Sequence, residues 1–266
     1  MNTVESSYYE NAQFWTGELF EEEDRQRYDF VIQHIGPEVT SVLDVGCGNG
    51  LFLDRVKMLR PDIKTLHGVD RSSAALSHVS VPHSHASADS LPLPAGSFDC
   101  VTCLEVIEHL PAIVYNNALS ELVRVSNQQI LISVPHEQNL TVGRVDCPAC
   151  RTLFNPDYHL RSFSKEVLSE LFEQFNCRLT EVHAFGISRE YAFVRQIDSL
   201  KRVRKNRFPV DILCPACGEV LAAREGGLET SSKRAIRHRG TLKESVKAIW
   251  PKVNHPRWLL ANYAKI

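Results

Sequence analysis

The sequence predicts an α/β fold, a doubly wound and mostly parallel sheet, on three observations. Short apolar runs alternate with amphipathic stretches over the first 135 residues. A glycine-rich turn, Gly46-Cys47-Gly48-Asn49-Gly50, follows the first apolar run at once and opens a helix. Asp44, Asp70, Asp89, Glu105 and His136 fall near the C-terminal ends of the predicted strands, where open α/β sheets bind ligands.

In order, residues 1–20 are irregular, with Tyr8, Tyr9, Phe14 and Trp15. Glu21 to Ile35 reads as an amphipathic helix with Tyr28, Val31 and Ile35 on one face. Val42, Leu43 and Val45 make the first strand, and Leu51 to Met58 the helix after the glycine loop. Pro61 breaks the chain before the second strand, Lys64 to Asp70. Ser73 to Val79 is a short helix and Ser84 to Asp89 a third strand. Phe98 to Cys103 is the fourth strand, Asn117 to Val125 a helix, and Gln128 to Val134 the fifth strand. Further on come a helix at Ser164 to Phe175, a sixth strand at Cys177 to Ala184, and a helix near Arg189 to Val203.

The glycine loop selects its ligand by charge. A dinucleotide loop needs a further glycine where Leu51 stands. Asp44, just ahead of the loop, would repel a pyrophosphate and suits a cationic group. Asp70, 24 positions after Gly46, has the spacing of a carboxylate that holds ribose hydroxyls.

On the pattern Asp44-x-Gly46-x-Gly48-x-Gly50, the chain resembles the class I S-adenosylmethionine (SAM)-dependent methyltransferases. Asp89-Ser90-Leu91 and Phe98-Asp99-x-Val101 also fit that family, and the likeness covers about residues 25–185. The resemblance implies a seven-stranded Rossmann-like sheet. It implies that Asp44, Gly46, Cys47, Gly48, Asp70, Arg71, Asp89, Ser90, Leu91, Leu104 and Glu105 hold the cofactor. It also suggests that the first helix and the aromatic stretch ahead of it form a lid.

Methyl transfer to a hydroxyl needs alignment of the reacting atoms and a placed base. His109, after the fourth strand, has the pKa range for that base. Glu108-His109 is similar to the Glu-His pair of the ubiquinone-biosynthesis O-methyltransferases. If this segment is helical, Glu105, Glu108 and His109 share one face and can hold a divalent metal, with His136 or His159 as a further ligand. That arrangement resembles the small-RNA 2′-O-methyltransferases.

Two identical tetrapeptides, Cys147-Pro148-Ala149-Cys150 and Cys214-Pro215-Ala216-Cys217, read as knuckles for one structural zinc. The expected site joins excursions at 137–163 and 208–223. The first, with His159 to Phe163, resembles a bacterial methyltransferase group with a Cys-Pro-x-Cys insert. The domain reading is a lid segment at 1–36, a SAM-binding domain at 37–230 and a basic extension at 231–266.

Charge is unevenly placed. Residues 1–200 carry 15 Lys and Arg against 27 Asp and Glu, and residues 201–266 carry 15 against 5. Trp258 to Tyr263 can dock on the domain with the basic residues left in water; otherwise the basic end suits an anionic membrane surface, a lipid-linked substrate or, less well, nucleic acid. No apolar run reaches the ~20 residues of a membrane span, and the N-terminus has no signal-peptide pattern. A cytoplasmic setting, peripheral to a membrane at most, is therefore expected. The functional expectation is O-methylation of a small-molecule or glycan hydroxyl. The rivals are metal-assisted methylation of an RNA ribose and SAM binding without turnover.

Overall fold

The computed structural model describes residues 9–10, 15, 22–141, 144–175, 177–191, 212–222 and 252–266. The chain divides into two compact units. The larger holds residues 9–138, 160–186 and 256–266; the smaller holds 1–8, 139–159 and 187–255.

Helix α1 (Glu22–Gln33) leads into β1 (Ser41–Val45), α2 (Leu51–Leu59), β2 (Thr65–Asp70), α3 (Ser73–Leu76) and β3 (His83–His85). There follow β4 (Phe98–Leu104), α4 (Ala112–Val125) and β5 (Ser126–Pro135). Two short strands, β6 (Val145–Asp146) and β7 (Leu153–Phe154), precede α5 (Lys165–Glu170) and β8 (Cys177–Tyr191). Then come β9 (Ile212–Leu213), β10 (Val220–Leu221) and β11 (Lys252–Lys265).

Seven strands form one sheet in the order β3-β2-β1-β4-β5-β11-β8. The pairs β3–β2, β2–β1, β1–β4 and β4–β5 are parallel, and β11 runs antiparallel to β5. The predicted doubly wound sheet is thus present. Alternate residues of each strand serve opposite faces. Leu43, Val101, Ile130, Ile132 and Tyr263 pack with Leu119, Leu122 and Leu168 of α4 and α5. Val42, Cys100, Leu131 and Leu260 pack with Val31, Ile32, Phe52, Leu53 and Leu76 of α1 to α3. Both faces are covered, so the central strands read as continuous apolar runs.

Three expectations need correction. The third strand is only His83–His85, so Asp89 lies in the turn beyond it and not at its end. Strand β8 extends to Tyr191, where a helix was expected to begin; residues 192–203 lie outside the described ones. The segment 231–266, read as a basic extension, ends in strand β11. Leu259, Leu260, Ala261 and Tyr263 are buried in the sheet core, so this part is not a membrane-facing tail.

In the smaller unit, β6 pairs antiparallel with β7, and β9 with β10. Val145, Cys147, Phe154, Tyr158, Ile212, Cys214 and Leu221 form its own small core.

Candidate active site

The loop between β1 and α2 is built from three left-handed glycines, Gly46 (φ 80°), Gly48 (φ 52°) and Gly50 (φ 84°). Its start is fixed by the Val69 carbonyl, which accepts the N–H groups of Gly46 at 2.7 Å and Cys47 at 3.0 Å. A Cβ on Gly46 would overlap Val106, and one on Gly48 would stand 2.8 Å from the Trp15 ring. The loop is therefore a cradle that only glycine leaves open. The Cys47 side chain is buried beside Gly68, so the loop's concave face is backbone.

Asp70 closes the cradle. Its carboxylate accepts the Gly48 N–H and the Ser72 N–H, each at 2.8 Å. Each oxygen holds one such bond and keeps a further lone pair. Asp44 is buried on β1 and accepts the Thr102 hydroxyl at 2.6 Å. Burial pushes its pKa up to about 7.

The N-terminal stretch reaches this site. The Tyr9 carbonyl accepts the Ser72 hydroxyl at 2.7 Å and the Trp15 indole N–H at 2.6 Å. The Glu10 carboxylate accepts the backbone N–H groups of Ser73 and Ala74. The Arg71 guanidinium sits 5.5 Å from the centre of the Tyr9 ring.

Beyond β3, Asp89 accepts the Ser87 hydroxyl and Ser90 is exposed, while Leu91 is buried. The turn is locked to α4. The Leu91 N–H donates to Glu121 at 2.7 Å, and Arg124 donates to the carbonyls of Leu91 and Leu93.

Leu104, half-buried, ends β4, and the segment after it corrects a further expectation. Residues 105–110 form a bend and a turn, not a helix, and Glu105 takes φ 55°. Pro111 stops helical continuation backwards from α4, because its ring restricts Leu110. Glu105 therefore does not share a helical face with Glu108 and His109. Its carboxylate accepts the Ser133 hydroxyl at 2.8 Å and stands 3.9 Å from the Arg27 guanidinium. Arg27, missed in the sequence, projects from α1 with a buried Nε that has no partner among the described residues. No local pattern marks it; only the fold brings it to Glu105.

Glu108 is fully buried, and neither carboxylate oxygen has a hydrogen-bond partner among the described residues. Burial, then the nearby Glu105, holds its pKa well above the usual carboxylate range. His109 Nδ1 lies 3.4 Å from the Tyr9 hydroxyl, and the two rings meet edge-on at 6.1 Å. The Leu160 N–H donates to the Glu108 carbonyl, and Arg161 donates to the carbonyls of Ile107 and Leu110. His136 is held at the end of β5, its N–H donating to the Arg257 carbonyl. His159 belongs to the smaller unit.

In the smaller unit the four cysteines converge. One sulfur from each of Cys147, Cys150, Cys214 and Cys217 lies within 4.8 Å of the others. Cys147 and Cys217 are 3.7 Å apart, and Cys150 and Cys214 are 3.6 Å apart. Tetrahedral zinc with bonds of about 2.3 Å separates its sulfurs by about 3.8 Å, so the set fits that ion. The knuckles repeat each other's backbone. Arg151 (φ 64°) and Gly218 (φ 78°) follow the second cysteine of each, and their N–H groups donate to the carbonyls of Cys147 and Cys214. The Thr152 side chain and backbone pull the Cys150 thiol down to about 6, while burial raises that of Cys214 and the neighbouring thiols push that of Cys217 up to about 12. Tyr158 joins the excursions: its hydroxyl donates to the Leu213 carbonyl and accepts the Leu213 N–H.

Comparison with known proteins places this geometry. A ubiquinone biosynthesis O-methyltransferase of Aromatoleum aromaticum is 34% identical over 95 residues, covering 32% of this chain and 39% of that protein. A small RNA 2′-O-methyltransferase of Arabidopsis thaliana is 26% identical over 186 residues, 61% of this chain and 20% of that protein. A probable S-adenosylmethionine-dependent methyltransferase of Mycolicibacterium smegmatis is 30% identical over 159 residues, 56% of each. The chain thus spans from a fifth to just over half of these relatives' lengths. The solved structure of a SAM-dependent methyltransferase from Archaeoglobus fulgidus shares the fold at a TM-score of 0.51 and 16% identity, covering 97% of this chain and 99% of that one. The profile of the family described as a methyltransferase domain matches residues 12–182, and the chain belongs to that family.

Proposed function

We propose that the chain transfers a methyl group from S-adenosylmethionine to a hydroxyl on a small molecule or glycan. The observation that carries this reading is the glycine cradle closed by Asp70, with His109 on the turn that follows β4. When bound, the cofactor supplies a methyl group on a sulfonium. In this reading the Asp70 carboxylate takes the ribose hydroxyls. Asp89 and Leu91 hold the adenine, on a turn that Glu121 and Arg124 keep fixed. Asp44 and Glu105 place negative charge toward the cofactor's cationic groups, and the partly unpaired Arg27 suits its carboxylate. His109 takes the acceptor's proton as the oxygen attacks in line. Tyr9 and Trp15 exclude water above the loop. The four cysteines hold a structural zinc in the smaller unit.

A second reading rests on Glu108. A fully buried carboxyl with two unpartnered oxygens is costly unless a proton or a cation satisfies it. With His109 it offers part of a metal site, as metal-assisted methylation of an RNA ribose would require. The basic residues of 201–266 suit an anionic acceptor of either kind, although 201–211 and 223–251 lie outside the described residues. Among the described residues no helix is long and apolar enough to cross a membrane.

The test is methyl transfer from labelled S-adenosylmethionine to pools of phenolic, glycan and RNA acceptors, with and without chelator. Chelator-resistant transfer to small hydroxyl compounds, cut by about 10²-fold or more in His109→Ala, supports the first reading. Chelator-sensitive transfer to RNA, lost in Glu108→Gln, supports the second. Binding of the cofactor with no transfer to any pool favours a binding protein.

A further inference from the structure

We propose that His34, Glu181 and His183 form a separate site for a divalent transition-metal ion, of the kind imidazoles prefer. The site shares no residue with the cofactor loop or with the four cysteines. One ligand atom from each of the three residues lies within 4.8 Å of the others. Two imidazoles and one carboxylate make a donor set suited to zinc, nickel or copper and ill suited to magnesium or calcium.

The hydrogen bonds prepare these groups for a metal. His34 follows the last turn of α1, and its Nδ1 lies 2.7 Å from the Phe30 carbonyl. A carbonyl only accepts, so Nδ1 carries the proton, and in the neutral ring Nε2 carries the free lone pair. A backbone carbonyl on the far nitrogen is the usual support for a metal-bound histidine. The His34 backbone is also held, since its carbonyl accepts the Gln129 amide at 2.9 Å.

The other two ligands come from β8. Glu181 and His183 are two residues apart, so they share one face of the strand. His183 Nε2 stands 2.9 Å from Glu181 Oε2. That is also near the separation of two ligands on one ion with bonds of about 2.1 Å at right angles. The His34 and His183 rings are 4.4 Å apart at 52°. At that distance two protonated imidazoles would repel, whereas one cation between neutral rings is favourable. The approach is set by packing: Phe30 of α1 stacks on Phe185 of β8 at 4.2 Å and meets His183 edge-on. Glu181 is 56% exposed and His183 36% exposed, which leaves room for water ligands.

An ion here would tie the end of α1 to the edge strand of the sheet. Two turns earlier, α1 carries Arg27 against Glu105, so the tie would steady the helix that supports the cofactor region.

The test uses the full chain loaded with one equivalent of zinc to fill the thiolate site, freed of excess zinc, then titrated with Ni²⁺ by calorimetry. One further saturable ion is expected, with affinity reduced about tenfold or more in both His34→Gln and His183→Gln. No saturable ion beyond the first would overturn the proposal, as would affinity unchanged in the double variant. A second measurement needs no variant: paramagnetic Ni²⁺ should broaden amide signals of residues 30–34 and 181–183 in the wild-type protein. Broadening confined to the cysteine knuckles would also overturn it.

Discussion

The Asp70 carboxylate accepts the Gly48 N–H at 2.8 Å, so the end of β2 and the centre of the glycine loop are one hydrogen-bonded unit. The same side chain accepts Ser72 N–H ahead of α3. Removing it takes away the loop's brace and the proposed ribose ligand together. Asp70→Ala is expected to weaken S-adenosylmethionine binding by about 10²-fold, since hydrogen bonds to a charged group contribute roughly 1.5–3 kcal/mol each. Calorimetric titration checks this, with circular dichroism to confirm the fold. Unchanged affinity would remove Asp70 from the site.

Asp44 gives a pH signature. Its folded-state pKa is raised by burial to about 7, against roughly 3.9 in an unfolded chain. A raised acid pKa means that the folded state holds the proton more tightly. The associated stability is complete below pH ~4 and is lost as pH rises toward and through 7. Without cofactor, Asp44→Asn should melt higher than wild type at pH 8, and the gap should narrow as pH falls and close only near pH ~4. With cofactor present the order should reverse at pH 8, because the cationic ligand then favours the carboxylate. A gap independent of pH would show that Asp44 carries no burial cost.

Much of this arrangement can be read from the sequence. β1, β2, β4 and β5 are short apolar runs bounded by breakers, and the spacing from Gly46 to Asp70 anticipates their meeting. β11 is harder, because both its faces are covered. Leu259, Leu260 and Ala261 are all buried, which erases the period-two pattern, and Pro256 and Arg257 mimic a tail. The stretch 105–110 has helical spacing of charges, yet Pro111 and the left-handed Glu105 impose a turn. Arg27 and the His34–His183 pairing depend on α1 meeting distant strands, and no local pattern carries that.

Gly46 is the position where a side chain is least tolerated. Its φ is 80° and a Cβ would run into Val106. Gly46→Ala therefore combines backbone strain of order 1 kcal/mol with a clash against a β-branched neighbour. We expect a lower melting temperature and loss of cofactor binding. Adding Val106→Ala should recover part of the stability by removing the clash while leaving the strain. Recovery to the full wild-type value would mean that the left-handed backbone costs nothing here.

The cysteine site offers a separable test of the smaller unit. Among the described residues its core is seven side chains, two of them Cys147 and Cys214, which is little apolar surface for holding two hairpins. A bound zinc would supply what the core lacks. Metal analysis of protein purified without chelator should find zinc, and Cys147→Ser with Cys214→Ser should abolish it. Limited proteolysis should then cut within residues 139–159 and 212–222, while the main sheet stays protected and cofactor affinity changes little. If the double variant keeps both its zinc and its protease resistance, the ion sits elsewhere and the knuckles are held by packing after all.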